Sequence, residues 1–179
     1  MRDPRGYWQA FLRQVGCSQR VIDHCNAVCD LALDYYRPGI MERSLLEAGA
    51  TLHDIGRSRT HGLAHAQVGA RLCRDAGVSE EIARIVECHL GAGLTADECT
   101  LLCLLPIDCI PRTAEEKVVA NADNLVSGTR VIGIEERMMR AISLPRRIRI
   151  RLFHLWLEME IFRRYVPGPD NKPPHDPGP

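Results

Sequence analysis

Apolar residues recur at intervals of three and four along most of this 179-residue chain, and this spacing constrains the fold more than any other feature. Residues three or four apart share one face of an α-helix, whereas a strand needs alternation with a period of two. One such stripe begins at Val21 and continues through Cys25, Val28 and Ala32. Alternation typical of strands is almost absent. We therefore expect an all-α fold.

Capping and breaking residues divide this pattern into successive helices. Ser18 and Ser79 are good N-caps, and Gly56 is a plausible helix stop. Thr113 and Glu116 have the spacing of a capping box, in which each side chain accepts a hydrogen bond from the other's backbone N–H. The expected helices cover residues 7–15, 18–36, 42–54, 61–76, 79–89, 95–105, 113–126, 134–142 and 145–165.

The last expected helix is apolar around much of its circumference, with Ile148, Ile150 and Leu157 on different sides. Such a helix either lies centrally in a core or buries a second face against a partner. We therefore predict a homodimer. Residues 167–179 are rich in proline and lack an apolar pattern, so a disordered tail is expected there. We expect one domain over residues 1–166, with its chemistry in residues 18–128.

The charge balance argues against several classes of partner. Lysines plus arginines number 23, aspartates plus glutamates also number 23, and the formal net charge is zero. A protein of this kind has no overall field that attracts nucleic acid or a membrane surface. No apolar run reaches the roughly 18 residues of a membrane span. We expect a soluble, cytoplasmic protein with a small-molecule partner, and its eight cysteines to be free core thiols.

Six ionisable residues interrupt these apolar stripes or lie beside them. Each of the histidines alone is most simply a hydrogen-bonded core residue, and Asp123 alone could be a carboxylate that faces a loop. Burial of several unpaired carboxylates would cost several kcal/mol each. Their convergence on cations satisfies all six at once, so the set predicts a metal site between central helices. The six are His24, His53, Asp54, His65, His89 and Asp123.

The segment from His53 to Gly56 reads HDIG, and the chain resembles the HD-domain (HDIG) superfamily of metal-dependent phosphohydrolases. It is also similar to small archaeal HDIG proteins through HDIGRSRTHGLAHA, CHLGAG and EEKVVANADNL. The resemblance extends from His24 to Leu125. It implies a single-domain HD-domain helical bundle.

The resemblance also implies how the six residues share two metal ions. His24, His53, Asp54 and Asp123 would bind one ion, and Asp54 would bridge to a second ion that His65 and His89 complete. Two divalent ions about 3.5–4 Å apart can activate a bridging hydroxide and clamp the attacking and leaving oxygens. Imidazole and carboxylate ligands suit Fe, Mn, Co or Ni, and we expect iron or manganese.

Four further residues are candidates for substrate contacts. Arg57 and Arg59 follow the HD pair, and a guanidinium there could bind a phosphate bidentately. His61 lies four residues before His65, so both would share a helix face, and it could donate a proton to a leaving group. Lys117 matches a lysine of the EEK segment. Arg59 and Lys117 could equally be solvated surface residues.

Two enzyme classes remain open from these residues. The favoured hypothesis is a dinuclear phosphohydrolase that cleaves a phosphate ester or anhydride of a nucleotide or dinucleotide. The alternative is an HD-fold oxygenase with a mixed-valent di-iron pair, acting on a small polar or phosphonate substrate. Both classes share the same six ligands. A nucleotide-sensing module without turnover is disfavoured, because a sensor would not need the full ligand set.

Overall fold

The computed structural model describes residues 4–165, and within them the protein is built from nine α-helices, one short 3-10 helix and one small β-hairpin. The α-helices are α1 (Pro4–Gln14), α2 (Gln19–Asp34), α3 (Arg43–Leu52), α4 (His65–Asp75), α5 (Glu80–Cys88), α6 (Ala96–Leu101), α7 (Ala114–Asn124), α8 (Ile134–Arg140) and α9 (Arg146–Tyr165). The 3-10 helix covers Ile55–Ser58. The all-α prediction is confirmed. The expected disordered tail at 167–179 lies outside the described residues.

Two capping predictions have different outcomes. The Ser18 and Ser79 side chains accept hydrogen bonds from backbone N–H groups three residues on, as expected for N-caps. Thr113 also caps its helix, but the Glu116 carboxylate accepts from the backbone of Arg112 instead of Thr113, so the predicted reciprocal box is wrong. A complete capping box is found in α6, where Thr95 and Glu98 cap each other.

The core consists of apolar faces from α2, α3, α5 and α7. Helix α7 contacts α2, α3, α5 and α9, so it is the central helix of the bundle. Its buried Val118, Val119 and Ala122 pack in one cluster with Val28 and Leu46. All eight cysteines are free, and all but the exposed one at position 103 are buried. The prediction of core thiols is therefore confirmed.

A two-stranded antiparallel hairpin that the sequence analysis does not predict follows α7. Strand β1 (Val126–Ser127) pairs with β2 (Arg130–Val131), with Val126 opposite Val131. Strands of two residues are too short to show alternation. The hairpin contacts α2, and its turn residue Gly128 has a φ of +64°.

Helix α9 lies along α7 and buries one face, including Leu152, Leu155 and Met159. Arg151 fastens it to α6, with Nη2 lying 2.6 Å from the buried Glu98 carboxylate. Among residues 4–165, no helix is both long and apolar enough to cross a membrane.

A close backbone contact fixes the 3-10 helix against α4. A Cβ at Gly56 would overlap the backbone oxygen of His65 and lie 2.7 Å from the backbone nitrogen of Gly69. Both obstacles are main chain, which cannot move aside as a flexible side chain can. Glycine at this position therefore allows the segment after α3 to pack on the N-terminal turn of α4.

We predict that Gly56→Ala destabilises the fold by about 1–3 kcal/mol, the usual cost of overpacking. Gly62→Ala is the matched control, because a Cβ there meets only the Thr60 hydroxyl at 3.8 Å. Its effect should stay within about 0.5 kcal/mol. Urea unfolding followed by circular dichroism measures both. Equal stability of the two variants would contradict the tight contact at Gly56.

The outer face of α9 leaves an apolar stripe uncovered. Ile150, Phe153, Leu157 and Ile161 are spaced by three, four and four residues and are 40%, 39%, 42% and 50% exposed. We predict that a second copy of the chain covers this stripe. Light scattering should give a dimer for the wild type and a monomer for Leu157→Glu, since a charge there would be buried without a partner. A monomeric wild type at high concentration would contradict this prediction.

Candidate metal centre

Five helices bring the six predicted ligands together from distant parts of the chain. His24 lies within α2, His53 is the C-cap of α3, and Asp54 follows it directly. His65 is the first residue of α4, and His89 is the C-cap of α5. The sixth residue, Asp123, lies in the last turn of α7. Five of the six residues, all except His24, lie at or beside a helix end. The helix ends therefore bring these side chains to one place in the core.

The six side chains form two groups of three. His24, His53 and Asp123 make one trio, and Asp54, His65 and His89 make the other. Within each trio, the candidate ligand atoms lie within 4.8 Å of one another. Each set of nitrogen and oxygen atoms is compatible with a divalent metal ion.

Asp54 belongs to the second trio, but its carboxylate directs one oxygen toward each trio. Its Oδ2 is 3.9 Å from Nε2 of both His24 and His53. Its Oδ1 is 3.0 Å from Nε2 of His65 and 3.6 Å from Nε2 of His89. Oδ1 of Asp123 closes the first trio, at 3.0 Å from His24 and 3.5 Å from His53.

Backbone carbonyls fix the orientation of all four imidazole rings. Because a carbonyl oxygen can only accept, each Nδ1 must donate its proton, and Nε2 is then left with a lone pair directed into the site. Such contacts are typical of histidines that ligate metals. The four bonds join His24 to Gly128 (2.7 Å), His53 to Ala50 (2.8 Å), His65 to Gly62 (2.7 Å) and His89 to Val86 (2.6 Å).

Acceptor atoms therefore face one another across a buried site. Nε2 of His65 lies 3.1 Å from Nε2 of His89, and both neighbour Oδ1 of Asp54. Nε2 of His53 and Oδ1 of Asp54 are buried without a hydrogen-bond partner. Buried polar atoms of native proteins normally have a partner. Cations between these acceptors would satisfy them, so the residues fit a metal site.

The charges of the site point the same way. Burial alone would raise the pKa of Asp54, but proton-bearing imidazoles of His53, His65 and His89 outweigh burial in the metal-free protein and hold that pKa far below its usual range. A cation between these groups would take the place of those protons. Burial would also raise the pKa of Asp123, but the neighbouring histidines outweigh it and hold that pKa well below its usual range. Both carboxylates are therefore negative at neutral pH, which suits a divalent cation.

Two cavities open beside the ligands and share His24, Arg57 and Gly128 in their linings. The larger has a volume of about 630 Å³, and leucines from α6 and the preceding loop form much of its wall. The smaller, about 390 Å³, is lined also by Asp54 and His61. The larger cavity borders His24 and Asp123, and the smaller borders His24 and Asp54, so each gives access to part of the candidate metal centre.

The structure brings two of the four predicted substrate residues to the site. Nε of Arg57 lies 2.6 Å from Oδ2 of Asp54. His61 borders the smaller cavity, but α4 begins only at His65, so the expected helical face shared by these histidines does not exist. The chain from His61 to α4 is a loop, and its Gly62 carbonyl instead holds the ring of His65.

Arg59 and Lys117, the other two predicted substrate contacts, form hydrogen bonds with other parts of the chain. Arg59 donates to the carbonyl of Val15, just after α1, and lines neither cavity. Lys117 pairs with Glu158 of α9 at 2.6 Å. Lys117 is six residues before Asp123, so the two side chains leave α7 in directions about 120° apart.

Sequence reasoning missed the cationic residues of the larger cavity. Arg137 and Arg140 of α8 and Arg147 of α9 line it, together with Asn124. Nothing in their spacing distinguishes them from the exposed arginines of any amphipathic helix. Only the packing of α8 and α9 around the end of α7 brings them near the ligands.

Comparisons with known proteins agree with this arrangement. A family model of the HD domain matches residues 21–128, which contain all six candidate ligands. An uncharacterised protein of Methanocaldococcus jannaschii is 46% identical over 125 residues, covering 67% of this chain and 74% of that protein. No solved structure gives a significant match.

Two relatives with named activities match only part of their own length. A tRNA (cytidine(56)-2'-O)-methyltransferase of Thermoplasma volcanium is 38% identical over 70% of this chain, but the match spans 37% of that protein. Ribonuclease Y of Cutibacterium acnes is 35% identical over 40% of this chain and 14% of its own length. The HD-domain match and the archaeal relative show that this chain belongs to the HD-domain family, which suggests a metal-dependent hydrolase.

Proposed function

We propose that this protein is a dinuclear-metal phosphohydrolase that cleaves a phosphate ester or anhydride of a nucleotide or dinucleotide. The observation that carries the proposal is the position of Asp54. One carboxylate oxygen faces His24 and His53, and the other faces His65 and His89. A carboxylate in this position can bridge two ions.

The residues divide naturally between the two ions. His24, His53 and Asp123 would hold one with Oδ2 of Asp54, while His65 and His89 would hold the other with Oδ1. The ligand atoms include no thiolate, which favours iron or manganese. When bound, two such ions supply Lewis-acid activation of water and stabilisation of charge on the phosphoryl oxygens.

Arg57 is the residue best placed to bind the reacting phosphate. Its side chain is 31% exposed, lines both cavities and lies against Asp54. A guanidinium can donate two parallel hydrogen bonds to phosphate oxygens. Its contact with Asp54 fixes the head group beside the metal ligands, so a phosphate bound there would be adjacent to both trios.

His61 is our candidate for proton donation to the leaving group. It is exposed in the loop before α4 and lines the smaller cavity with Asp54 and Arg57. A protonated imidazole can donate a proton to a leaving group, which is the role of a general acid.

The cavities support a nucleotide-sized substrate. A volume of about 630 Å³ is within the range of small-molecule sites. The relative named Ribonuclease Y is matched over 14% of its length, so its activity is not carried to this chain. The methyltransferase relative is matched over 37% of its length, so we do not carry its activity to this chain.

We predict close to two transition-metal ions per chain in purified protein. Asp54→Ala should lose most of this metal, because a bridging ligand belongs to both coordination spheres. His65→Ala should retain about one ion, since it disturbs only one trio. Elemental analysis by mass spectrometry measures the metal content of the wild type and of both variants. About one ion in the wild type, unchanged in His65→Ala, would contradict the second metal site.

A second prediction separates hydrolysis from oxygenation, because both enzyme classes can use the same ligands. Cleavage of a bis-nucleoside polyphosphate or another nucleotide should proceed without oxygen and should persist when Mn replaces Fe. Hydrolysis needs no redox change of the metal. Strict dependence on iron and oxygen, with no phosphate or nucleotide released, would contradict the proposal and support the oxygenase.

Arg57→Ala should weaken substrate binding by about 1.5–3 kcal/mol, the scale of hydrogen bonds to charged groups. Its metal content should stay close to that of the wild type, since Arg57 is not a ligand. Arg59→Ala is the matched control, because Arg59 contacts Val15 outside both cavities. Substrate affinity and metal content are measured on the same samples. An equal loss of affinity in both variants would contradict the assigned role of Arg57.

A further inference from the structure

The larger cavity contains one arginine that forms no ion pair with a carboxylate of the described residues. Four arginines line this cavity, and three of them form ion pairs. Arg57 pairs with Asp54, Arg140 with Glu136 and Arg147 with Glu98. The fourth is Arg137, which has no ion-pair partner among residues 4–165.

Hydrogen bonds hold the Arg137 head group in a fixed position. Its Nε and Nη2 both donate to Oδ1 of Asn124, at 3.1 and 3.0 Å. Nδ2 of Asn124 in turn donates to the carbonyl of Gly91 at 2.7 Å. Asn124 directly follows the ligand Asp123, and Gly91 follows His89 by two residues. Arg137 is therefore fastened to two segments that carry ligands.

Arg137 is a half-buried positive charge whose hydrogen-bond partner, the Asn124 side chain, is neutral, and the Asp123 carboxylate attracts it only from beyond ion-pair distance. Burial lowers the pKa of Arg137, a sign that its charged form is incompletely solvated. An anion beside the guanidinium would remove this cost. Nη1 makes no hydrogen bond in the described part of the chain, so it can donate to such an anion.

The remaining wall of the cavity is apolar. The apolar side chains that line it include Leu90, Leu94, Leu101, Ile132 and Ile148. Apolar walls with a few fixed polar groups are typical of small-molecule sites. They match a flat, weakly polar group such as a nucleobase, which stacks on aliphatic side chains.

We propose that Arg137 binds a second phosphate of the substrate, next to the one that is cleaved, and so selects compounds with at least two phosphate groups over monophosphate esters. This inference rests on the proposed hydrolase function. Arg57 contacts Asp54 and would hold the reacting phosphate, whereas Arg137 is fastened beyond Asp123, at Asn124. The substrate class is then a nucleoside di- or polyphosphate or a dinucleotide.

Binding of two probes tests this role without requiring turnover. The probes are adenosine monophosphate and α,β-methylene adenosine diphosphate, which differ by a second phosphoryl group and resist cleavage between the phosphates. Calorimetry gives the Kd of each for the protein as purified, and metal content is measured on the same sample. A loss of binding that is caused by missing metal can thus be distinguished from a loss caused by the change at Arg137.

Three variants complete the experiment. Arg137→Gln removes the charge but keeps an N–H that can donate to Asn124. Arg137→Lys keeps the charge and provides a second test if the Gln variant is unstable. Arg130→Gln is the matched control, since Arg130 is exposed on β2, pairs with Glu136 and lines neither cavity.

The wild type should bind the diphosphate analogue at least tenfold more tightly than the monophosphate. Arg137→Gln should weaken diphosphate binding at least tenfold, which corresponds to about 1.4 kcal/mol, and monophosphate binding less than twofold. Arg137→Lys should give an intermediate loss, and Arg130→Gln none. Equal losses for both probes would place Arg137 at the reacting phosphate or in a structural role. Either that result, or a wild type that binds neither probe or does not prefer the diphosphate, would overturn the inference.

Discussion

The hydrogen bonds between four imidazole Nδ1 atoms and four backbone carbonyls determine what this site can do. Each bond keeps a proton on the outer nitrogen and leaves the inner nitrogen, Nε2, as an acceptor. With Asp54 and Asp123, these nitrogens make a buried group of acceptors without enough donors. The proposed metal binding, with Asp54 as a bridge, and the proposed hydrolysis both depend on this orientation of the rings.

The fold supplies the carbonyls from positions where a backbone is free to accept. Those of Ala50 and Val86 lie three residues before His53 and His89, in the last turns of α3 and α5. Carbonyls in the last turn of a helix lack a partner within it. The carbonyl for His24 comes from the turn of the hairpin, at Gly128. Helix ends and the hairpin therefore act as supports for the ligands.

The sequence was sufficient to predict the helices and the six candidate ligands, because periodicity shows an ionisable residue on an apolar face. It was not sufficient for contacts that tertiary packing creates. The hairpin at Gly128 is too short to show a pattern, and the apolar spacing does not show that the chain from His61 to the start of α4 at His65 is a loop. Arg137 resembles any exposed helix arginine until α8 packs against Asn124. The EEK motif does not show which face of α7 Lys117 occupies, so its ion pair with Glu158 could not be predicted.

We propose that the Asp54 carboxylate would bind two metal ions, one together with His24, His53 and Asp123 and the other together with His65 and His89. Anomalous diffraction from crystals of manganese-loaded protein, recorded near the metal absorption edge, tests this directly. We expect two anomalous peaks, each within bonding distance of an oxygen of Asp54. One should lie between His24, His53 and Asp123, and the other between His65 and His89. A single peak, or two peaks of which only one contacts Asp54, would contradict it.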